Sequence, residues 1–186
     1  LTGYGATRFN FRGKNTFLSF ILMTQMFPSI MLLVPFYKIL SVYGLNNSLV
    51  GLCIVYVSFT IPFCSWMMVG YFRTIPTEID ESAAIDGASH LQTFWKIALP
   101  LVKPGLVSSA IYAFITCWNE YMFAAILLVN DKLKTAAVAI AEMNGYYKIA
   151  WNDMMAASLV ASVPLIIAFV FMQKSFISGL TAGAVK

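Results

Sequence analysis

The sequence contains four apolar stretches, each long enough to cross a lipid bilayer as a helix. They cover approximately residues 17–39, 49–70, 105–128 and 155–177. Hydrocarbon about 30 Å thick is spanned by about 20 helical residues, and lipid permits only helices or closed barrels, whose strands are short and alternating. Because 60% of its residues are hydrophobic and 11% are charged, the chain is predicted to be an all-α integral membrane protein with four transmembrane helices.

The basic residues predict which way these helices point. One side of the membrane holds eight of the twelve Lys and Arg residues, namely Arg8, Arg12, Lys14, Arg73, Lys96, Lys103, Lys174 and Lys186, and the other side holds Lys38, Lys132, Lys134 and Lys148. Lys and Arg concentrate in cytoplasmic loops. We therefore expect the polar loop at residues 71–104 and both chain ends to face the cytoplasm.

The residues that usually carry catalytic or metal chemistry are sparse. The three cysteines each lie inside an apolar stretch, which favours buried packing, and His90 is the single histidine. The phosphate-binding pattern GxxxxGK[ST] is absent, since Gly13-Lys14 is followed by Asn15. We expect no catalytic residue, no metal site and no cofactor bound to this chain, and no nucleic-acid partner; any energy from ATP must come from a partner chain.

The loop at residues 71–104 contains two helix-start signals. Thr77 is predicted to cap a first helix, with Asp80 as its reciprocal partner, and Gly87 is predicted to end that helix after Asp86. A second capping box, Ser-His-Leu-Gln at residues 89–92, predicts a helix that continues towards the next membrane stretch.

The first of these loop helices is acidic and rich in small side chains. Small residues let another backbone approach closely, so the helix suits docking into a groove on a second protein. The alternative is a helix that lies on the bilayer surface, but such helices usually present Lys and Arg on their polar face.

Glu-Ser-Ala at residues 81–83, Gly87, and Ile-Ala-Leu-Pro at residues 97–100 together resemble the EAA loop of ATP-binding-cassette (ABC) importer permeases. The pattern has fixed spacing over twenty residues, and Ser82 stands where the family most often has alanine. In that family this cytoplasmic two-helix loop provides the coupling helix that seats in the ATPase subunit. The residues that the resemblance assigns to the coupling surface are Glu81, Ser82, Ala83, Ala84, Asp86, Gly87 and Ala88.

The resemblance extends along nearly the whole chain. Residues 4–14 and 25–28 are similar to segments at the third span of sugar permeases. Residues 179–186 are similar to the carboxyl terminus of the maltose-type permease partner, which implies a tail contact through Gly179 and Gly183. Family members usually have about six spans, so the resemblance implies that the first two are missing and that the chain is truncated at its amino terminus.

The resemblance also implies partners and a location. They are two ATPase subunits that hold ATP and Mg²⁺, a second permease subunit that is identical or different, and an extracytoplasmic solute-binding protein. The implied location is the bacterial or archaeal cytoplasmic membrane, with lipid around the spans.

Polar and aromatic side chains inside the apolar stretches are candidates for a substrate pathway. They are Gln25, Trp118, Asn119 and Glu120. Ionisable groups in a bilayer are costly and usually functional, and a ring beside amide and carboxylate groups suits a sugar. The alternative is that Gln25 and Asn119 bond neighbouring helices and that Trp118 packs or lies at the interface.

Other classes of membrane protein remain open. An ion-coupled secondary transporter would need carboxylates at the midplane, and Glu120 is the only acidic residue in the four stretches. A membrane-embedded enzyme would need clustered His, Asp or Cys. A permease for an amino acid or phosphate would share the EAA pattern, although the ending at residues 179–186 favours sugars.

Overall fold

The computed structural model describes residues 1–145 and 150–184 of the 186, and for residue 172 and residues 174–184 it describes the backbone alone. In this described part the chain forms helices and no strand. In order they are α1 (Thr2–Arg8), α2 (Lys14–Met23), α3 (Leu33–Val42), α4 (Leu49–Arg73), α5 (Glu78–Ile85), α6 (His90–Thr93), α7 (Leu99–Leu101), α8 (Lys103–Trp118), α9 (Met122–Leu127), α10 (Ala136–Glu142) and α11 (Trp151–Ala184). Short 3₁₀ segments lie at Thr24–Met26, Ser29–Leu32 and Asp131–Leu133, and a π-helical turn joins α6 to α7 at Phe94–Ala98.

Two single helices are long and apolar enough to cross a membrane. They are Leu49–Arg73 and, within the described side chains, Trp151–Phe171. Two bent helix pairs, Lys14–Met26 with Ser29–Val42 and His90–Leu101 with Lys103–Trp118, also meet these length and composition limits when each pair is taken as one span. Between two and four spans are therefore present by these criteria.

The first predicted stretch, residues 17–39, is divided. α2 ends at Met23, and Pro28 lies between two 3₁₀ segments before α3 begins at Leu33. Proline lacks the N–H that an α-helix needs at this point, and its ring clashes with the preceding turn. By contrast, Pro62 lies inside the continuous helix α4.

The third predicted stretch, residues 105–128, is divided at Asn119, between α8 and α9. The Asn119 Nδ2 donates a 2.9 Å hydrogen bond to the Ile115 carbonyl. Asparagine side chains that bond nearby backbone groups compete with the helix. Here the Asn119 backbone N–H still donates to the Ile115 carbonyl at 3.1 Å, so the break begins just after this bond, at Glu120, where neither proline nor glycine lies.

The chain divides into two compact units. The first contains Leu1–Gln25 and Ile61–Tyr112, and the second contains Met26–Thr60 and Ala113–Phe171. The main core of the first unit buries Tyr4, Phe72, Ile75, Phe94, Ala98 and Val102. The core of the second unit buries Leu40, Leu52, Val55, Phe123, Ala124, Leu127, Leu128 and Val138.

Candidate functional site

The helix at the predicted coupling surface, α5, ends in a Schellman motif. The Ala88 N–H donates to the Ala83 carbonyl at 2.9 Å, and the Gly87 N–H donates to the Ala84 carbonyl at 3.0 Å. Gly87 has φ +81°, in the left-handed region that glycine adopts without steric cost. The prediction that Gly87 ends this helix is confirmed.

The start of α5 differs from the prediction. The Thr77 side chain makes no capping hydrogen bond, and its backbone is already helical (φ −68°, ψ −24°), whereas a capping residue usually has extended dihedrals. Asp80 is not its reciprocal partner, because both Asp80 oxygens contact α1 instead: Oδ1 accepts from Tyr4 and Oδ2 pairs with Arg8. The predicted capping box at Thr77 is therefore wrong.

The second capping box is confirmed. The Gln92 N–H donates to Ser89 Oγ at 3.3 Å, and the Ser89 N–H donates to Gln92 Oε1 at 2.9 Å. This reciprocal pair begins α6, which continues through the π-helical turn into α7. Both ends of the α5–α6 connection are thus held by local backbone hydrogen bonds, which gives the loop a defined shape.

The predicted coupling residues differ in accessibility. Ala88 is half-buried, and the exposed ones are Glu81, Ser82, Ala84, Asp86 and Gly87. Ala83 has only 4% of its surface exposed and packs inside its own chain. Its small side chain therefore lets α5 approach the rest of the first unit, while its neighbours face outward.

Three large apolar side chains between the start of α5 and the end of the π-helical turn are exposed, and sequence reasoning did not assign them to the site. Ile85 at the end of α5 is 87% exposed, Leu91 in α6 is 63% exposed, and Trp95 in the π-helical turn is 58% exposed. We call these three residues the apolar docking set. The sequence carries no signal for their exposure, because hydropathy alone predicts that such residues are buried.

In the second unit, the carboxylate of Glu120 is held by three hydrogen bonds. Its Oε1 accepts from the Phe123 N–H at 2.8 Å, and its Oε2 accepts from the Ala124 N–H at 3.1 Å and from the Tyr56 hydroxyl at 2.9 Å. A carboxylate at a helix amino terminus satisfies free N–H groups and is favoured by the helix dipole. Glu120 therefore stabilises the break between α8 and α9.

The other predicted pathway residues have different surroundings. The Trp118 indole N–H donates to the Ala161 carbonyl at 3.1 Å, which links α8 to α11, and this favours the packing interpretation. Asn119 is exposed and bonds within its own helix. Gln25 is exposed in the 3₁₀ segment directly after α2. The side-chain amides of Asn119 and Gln25 therefore both remain candidates for contact with a solute.

Trp118 also lines two cavities. One, of about 400 Å³, is otherwise apolar and has four alanines in its wall. The other, of about 290 Å³, is lined by Tyr56, Phe114, Cys117, Trp118, Thr135 and Ala136. Within the described part of the chain, no group of three or more His, Cys, Asp or Glu side chains could hold a metal ion.

The predicted tail contact involves Gly179 and Gly183. Both fall in the stretch of α11 where the structure describes the backbone alone, so that contact lies outside the described side chains and stays a prediction.

The sequence matches one family model over nearly its full length. The model is described as a binding-protein-dependent transport system inner membrane component and matches residues 1–181. The chain is 38% identical over 187 residues to the trehalose/maltose transport system permease protein of Thermococcus litoralis, with coverage of 100% of this chain and 67% of the relative. It is 39% identical over 187 residues to the maltodextrin transport system permease protein of Bacillus subtilis, with the same coverage. Against the inner membrane ABC transporter permease protein of Escherichia coli, at 37% identity, it covers 66% of the relative, so the chain spans about two thirds of the length of these proteins.

Solved structures show the same helical arrangement. A bacterial ABC transporter involved in the import of the acidic polysaccharide alginate matches with a TM-score of 0.78 at 25% identity, over 94% of this chain and 66% of that one. An inward-facing methionine ABC transporter matches with a TM-score of 0.72 at 20% identity, over 93% and 82%. The second likeness concerns the fold alone.

Proposed function

We propose a transport function from the premise that this chain belongs to the family of binding-protein-dependent transport system inner membrane components. The chain is a multi-pass inner-membrane protein and a membrane-spanning subunit of an ABC importer. In the assembled complex it forms part of the path of the solute and couples that path to ATPase subunits in the cytoplasm.

The single observation that carries the coupling role is the apolar docking set on the loop between α4 and α8. Fully burying a side chain such as isoleucine contributes about 1.5–3 kcal/mol, so three exposed ones favour a partner that covers them. The exposed carboxylates of Glu81 and Asp86 suit basic groups at the edge of a groove in that partner. A short helix with apolar contacts and charged edges is a common form of helix-in-groove recognition.

The energy comes from two ATPase subunits, one for each permease subunit. They hold ATP and Mg²⁺, since this chain lacks the phosphate-binding sequence pattern. When nucleotide closes the ATPases, the coupling loop moves, and the permease changes between outward-facing and inward-facing states. Each ligand shifts this equilibrium only by the difference between its affinities for the two states.

A second permease subunit and a solute-binding protein complete the proposed complex. The most hydrophobic window of the Trp151–Phe171 span contains no buried residue. Lipid or other helices must therefore surround this helix, which favours its place at the edge of the chain, towards a second permease. The loops opposite the coupling surface are then available to the solute-binding protein.

Sugars are the proposed solutes. The support is the set of relatives named for trehalose, maltose and maltodextrin, at 38% and 39% identity over the whole chain. Asn119 and Gln25 remain the pathway candidates, because their exposed amides suit neutral hydroxyl groups. A permease for an amino acid or another solute is the alternative, and the methionine transporter matches at lower identity.

Reconstitution tests this function. The complete complex, with its ATPases and solute-binding protein, is placed in liposomes and given labelled maltose, trehalose or maltodextrin. We expect uptake that depends on ATP and on the solute-binding protein. Uptake of none of these sugars, with ATP-dependent uptake of an amino acid, would overturn the sugar assignment and leave the importer assignment intact.

The coupling role is tested by removing the apolar docking set. Ile85→Ser and Trp95→Ser should each weaken ATPase association by about tenfold or more, because buried apolar area is lost. Val129→Ser is the matched control, since Val129 is also largely exposed (76%) but lies in a loop of the other unit. ATPase association that survives both loop substitutions would exclude docking at this surface.

A further inference from the structure

The short amino-terminal helix α1 contacts the coupling helix α5 through Asp80. The Tyr4 hydroxyl donates to Asp80 Oδ1 at 2.7 Å, and Arg8 Nε lies 2.8 Å from Asp80 Oδ2. Arg8 Nη2 also donates to the Ile75 carbonyl at 3.0 Å, between α4 and α5. Tyr4 and Arg8, about one turn apart on α1, therefore hold both carboxylate oxygens of Asp80, and Arg8 also holds the backbone that leads into α5.

The same contact is partly withdrawn from solvent. The Arg8 side chain is 8% exposed and the Asp80 side chain 17% exposed. Burial, together with the bond to Asp80, raises the pKa of the Tyr4 hydroxyl to about 12, so Tyr4 remains a hydrogen-bond donor at neutral pH. Removing one partner of a buried ion pair leaves an uncompensated charge, which costs more than the loss of an exposed pair.

The amino-terminal part of α1, at Gly3 and Tyr4, also rests directly on the membrane helix α4. A Cβ atom at Gly3 would lie 2.9 Å from Met68 Cβ and 3.0 Å from the Met68 carbonyl carbon, so only glycine permits this approach. The Tyr4 ring packs against Phe72 of α4, with centroids 5.6 Å apart, and against Phe94 of the π-helical turn, at 5.2 Å. α1 thus touches the coupling helix, the turn after it and the end of a membrane span.

We propose that α1 is a strut that fixes the angle of the coupling helix against α4, with Arg8, Tyr4 and Asp80 as its positioning residues. This inference rests on the proposed docking of α5 to an ATPase. α5 has eight residues, and isolated helices this short are unstable in water. Its orientation must therefore come from tertiary contacts, and the contact through Asp80 joins it to α1.

The strut gives the coupling helix two separate sides. Asp80 faces α1, while Glu81 and Ile85 are exposed. When a partner moves the exposed side of α5, the contact at Asp80 transmits that movement to α1. The contacts at Gly3 and Tyr4 then transmit it to α4. Without the contact, the ATPase still binds the loop, but its closure moves α5 without moving the membrane helix to the same extent.

The test measures ATPase association and the amount of sugar taken up per ATP hydrolysed in the complete reconstituted complex. Asp80→Asn and Arg8→Gln should retain the ATPases but lower uptake per ATP roughly tenfold or more, because each leaves one charge of a largely buried ion pair without its partner. Tyr4→Phe should lower it less. Because Arg8 and Asp80 act through one contact, the double variant should lose no more than the worse single variant.

Glu78→Gln is the matched control, because Glu78 is exposed in the same helical turn and has no ion pair among the described residues. It should keep wild-type coupling. Additive losses in the double variant, or normal uptake per ATP in both single variants, would refute the strut. If the Asp80→Asn and Ile85→Ser variants both lose the ATPases, Asp80 belongs to the docking surface. That outcome would refute the strut and leave the docking proposal intact. If Ile85→Ser and Trp95→Ser keep the ATPases, the docking proposal itself fails.

Discussion

The hydroxyl of Tyr56 donates a 2.9 Å hydrogen bond to the carboxylate of Glu120, so α4 is linked to the break between α8 and α9. The same carboxylate accepts the two N–H groups that begin α9. Glu120 was predicted as a pathway residue because a carboxylate in an apolar stretch is costly unless it has a function. Its three hydrogen bonds give it a structural function whether or not it meets solute.

Glu120→Ala should therefore lower stability as well as transport. It leaves two helix N–H groups and the Tyr56 hydroxyl without their acceptor, and the loss of a capping group alone costs about 1 kcal/mol, with about 1–3 kcal/mol more for a buried polar group left unpaired. The measurement is thermal unfolding of the purified protein in detergent, followed by uptake.

Asn119→Ala is the comparison for Glu120. The Asn119 side chain is exposed and bonds only its own helix among the contacts described for it, so its removal should change the unfolding temperature little. Reduced uptake at normal stability would support Asn119 as a pathway residue. A Glu120→Ala protein as stable as wild type would contradict the capping role.

Asn47 should be the residue that holds two loops of the second unit together. Its Oδ1 accepts from the Val129 N–H at 3.0 Å and the Asn130 N–H at 2.9 Å. Its φ of +54° is tolerated by asparagine better than by most residues. Asn47→Ala should speed hydrogen exchange at these two amides by about fivefold, since each lost hydrogen bond contributes about 1 kcal/mol.

Asn47→Asp keeps an acceptor oxygen and tolerates the same backbone conformation. It should preserve the slow exchange of the Val129 and Asn130 amides. Equal exchange in Asn47→Ala and the wild type would show that these amides are protected by something other than the side chain.

Local and long-range effects explain which parts of the coupling loop could be predicted. Gly87 and Ser89 were predicted correctly because their hydrogen bonds join residues within one or two turns. The capping role of Thr77 failed because Asp80 pairs with Arg8, far away in the sequence, and no short pattern contains that information. The exposure of Ile85 also depends on the folded chain, since hydropathy alone predicts burial.

The break at Asn119 shows a signal that sequence reasoning saw but assigned differently. Two polar residues, Asn119 and Glu120, interrupt an apolar stretch, and they were interpreted as possible solute contacts within one continuous helix. Their side chains bond the backbone on either side of a break in that helix, and their contact with solute stays a prediction. Paired amide and carboxylate groups within a predicted span therefore indicate a broken helix as well as a binding site.

Lys134 should hold the 3₁₀ segment at Asp131–Leu133 to the end of α10 over a wide pH range. Its Nζ pairs with Asp131 at 2.6 Å and with Glu142 at 2.7 Å. The hydrogen bond to Lys134 lowers the pKa of Asp131 below its ordinary 3.8, and the bonds to Asp131 and Glu142 raise the pKa of Lys134 above its ordinary 10.5.

The direction in which stability changes with pH follows from these two pKa shifts. The lowered pKa of the Asp131 carboxyl contributes stability above pH 3.8, which is lost as the pH falls through the pKa of the folded state. The raised pKa of the Lys134 amine contributes stability below pH 10.5, which is lost as the pH rises through the pKa of the folded state. Hydrogen exchange of α10, corrected for the intrinsic rate, should be constant between these limits. Lys134→Gln should speed it, and high salt should partly reproduce that effect because the charges are exposed. Faster exchange on acidification to only pH 6 would contradict this account.

Gly87 separates the geometry of the loop from its contact with a partner. A Cβ added at Gly87 meets no atom of the described residues within 4 Å, although its φ of +81° favours glycine. Gly87→Asn should keep the end of α5 at a cost of about 1 kcal/mol or less, since asparagine tolerates this conformation.

Gly87→Trp adds a large side chain that points away from its own chain, so it should leave membrane insertion intact and abolish ATPase assembly or coupled uptake. Tryptophan is strained at this φ and asparagine is not, so a loss seen with Trp but not with Asn is attributed to a partner only if the Ala88 amide exchanges hydrogen equally slowly in both variants. Normal assembly and uptake in Gly87→Trp would remove the coupling assignment of this helix.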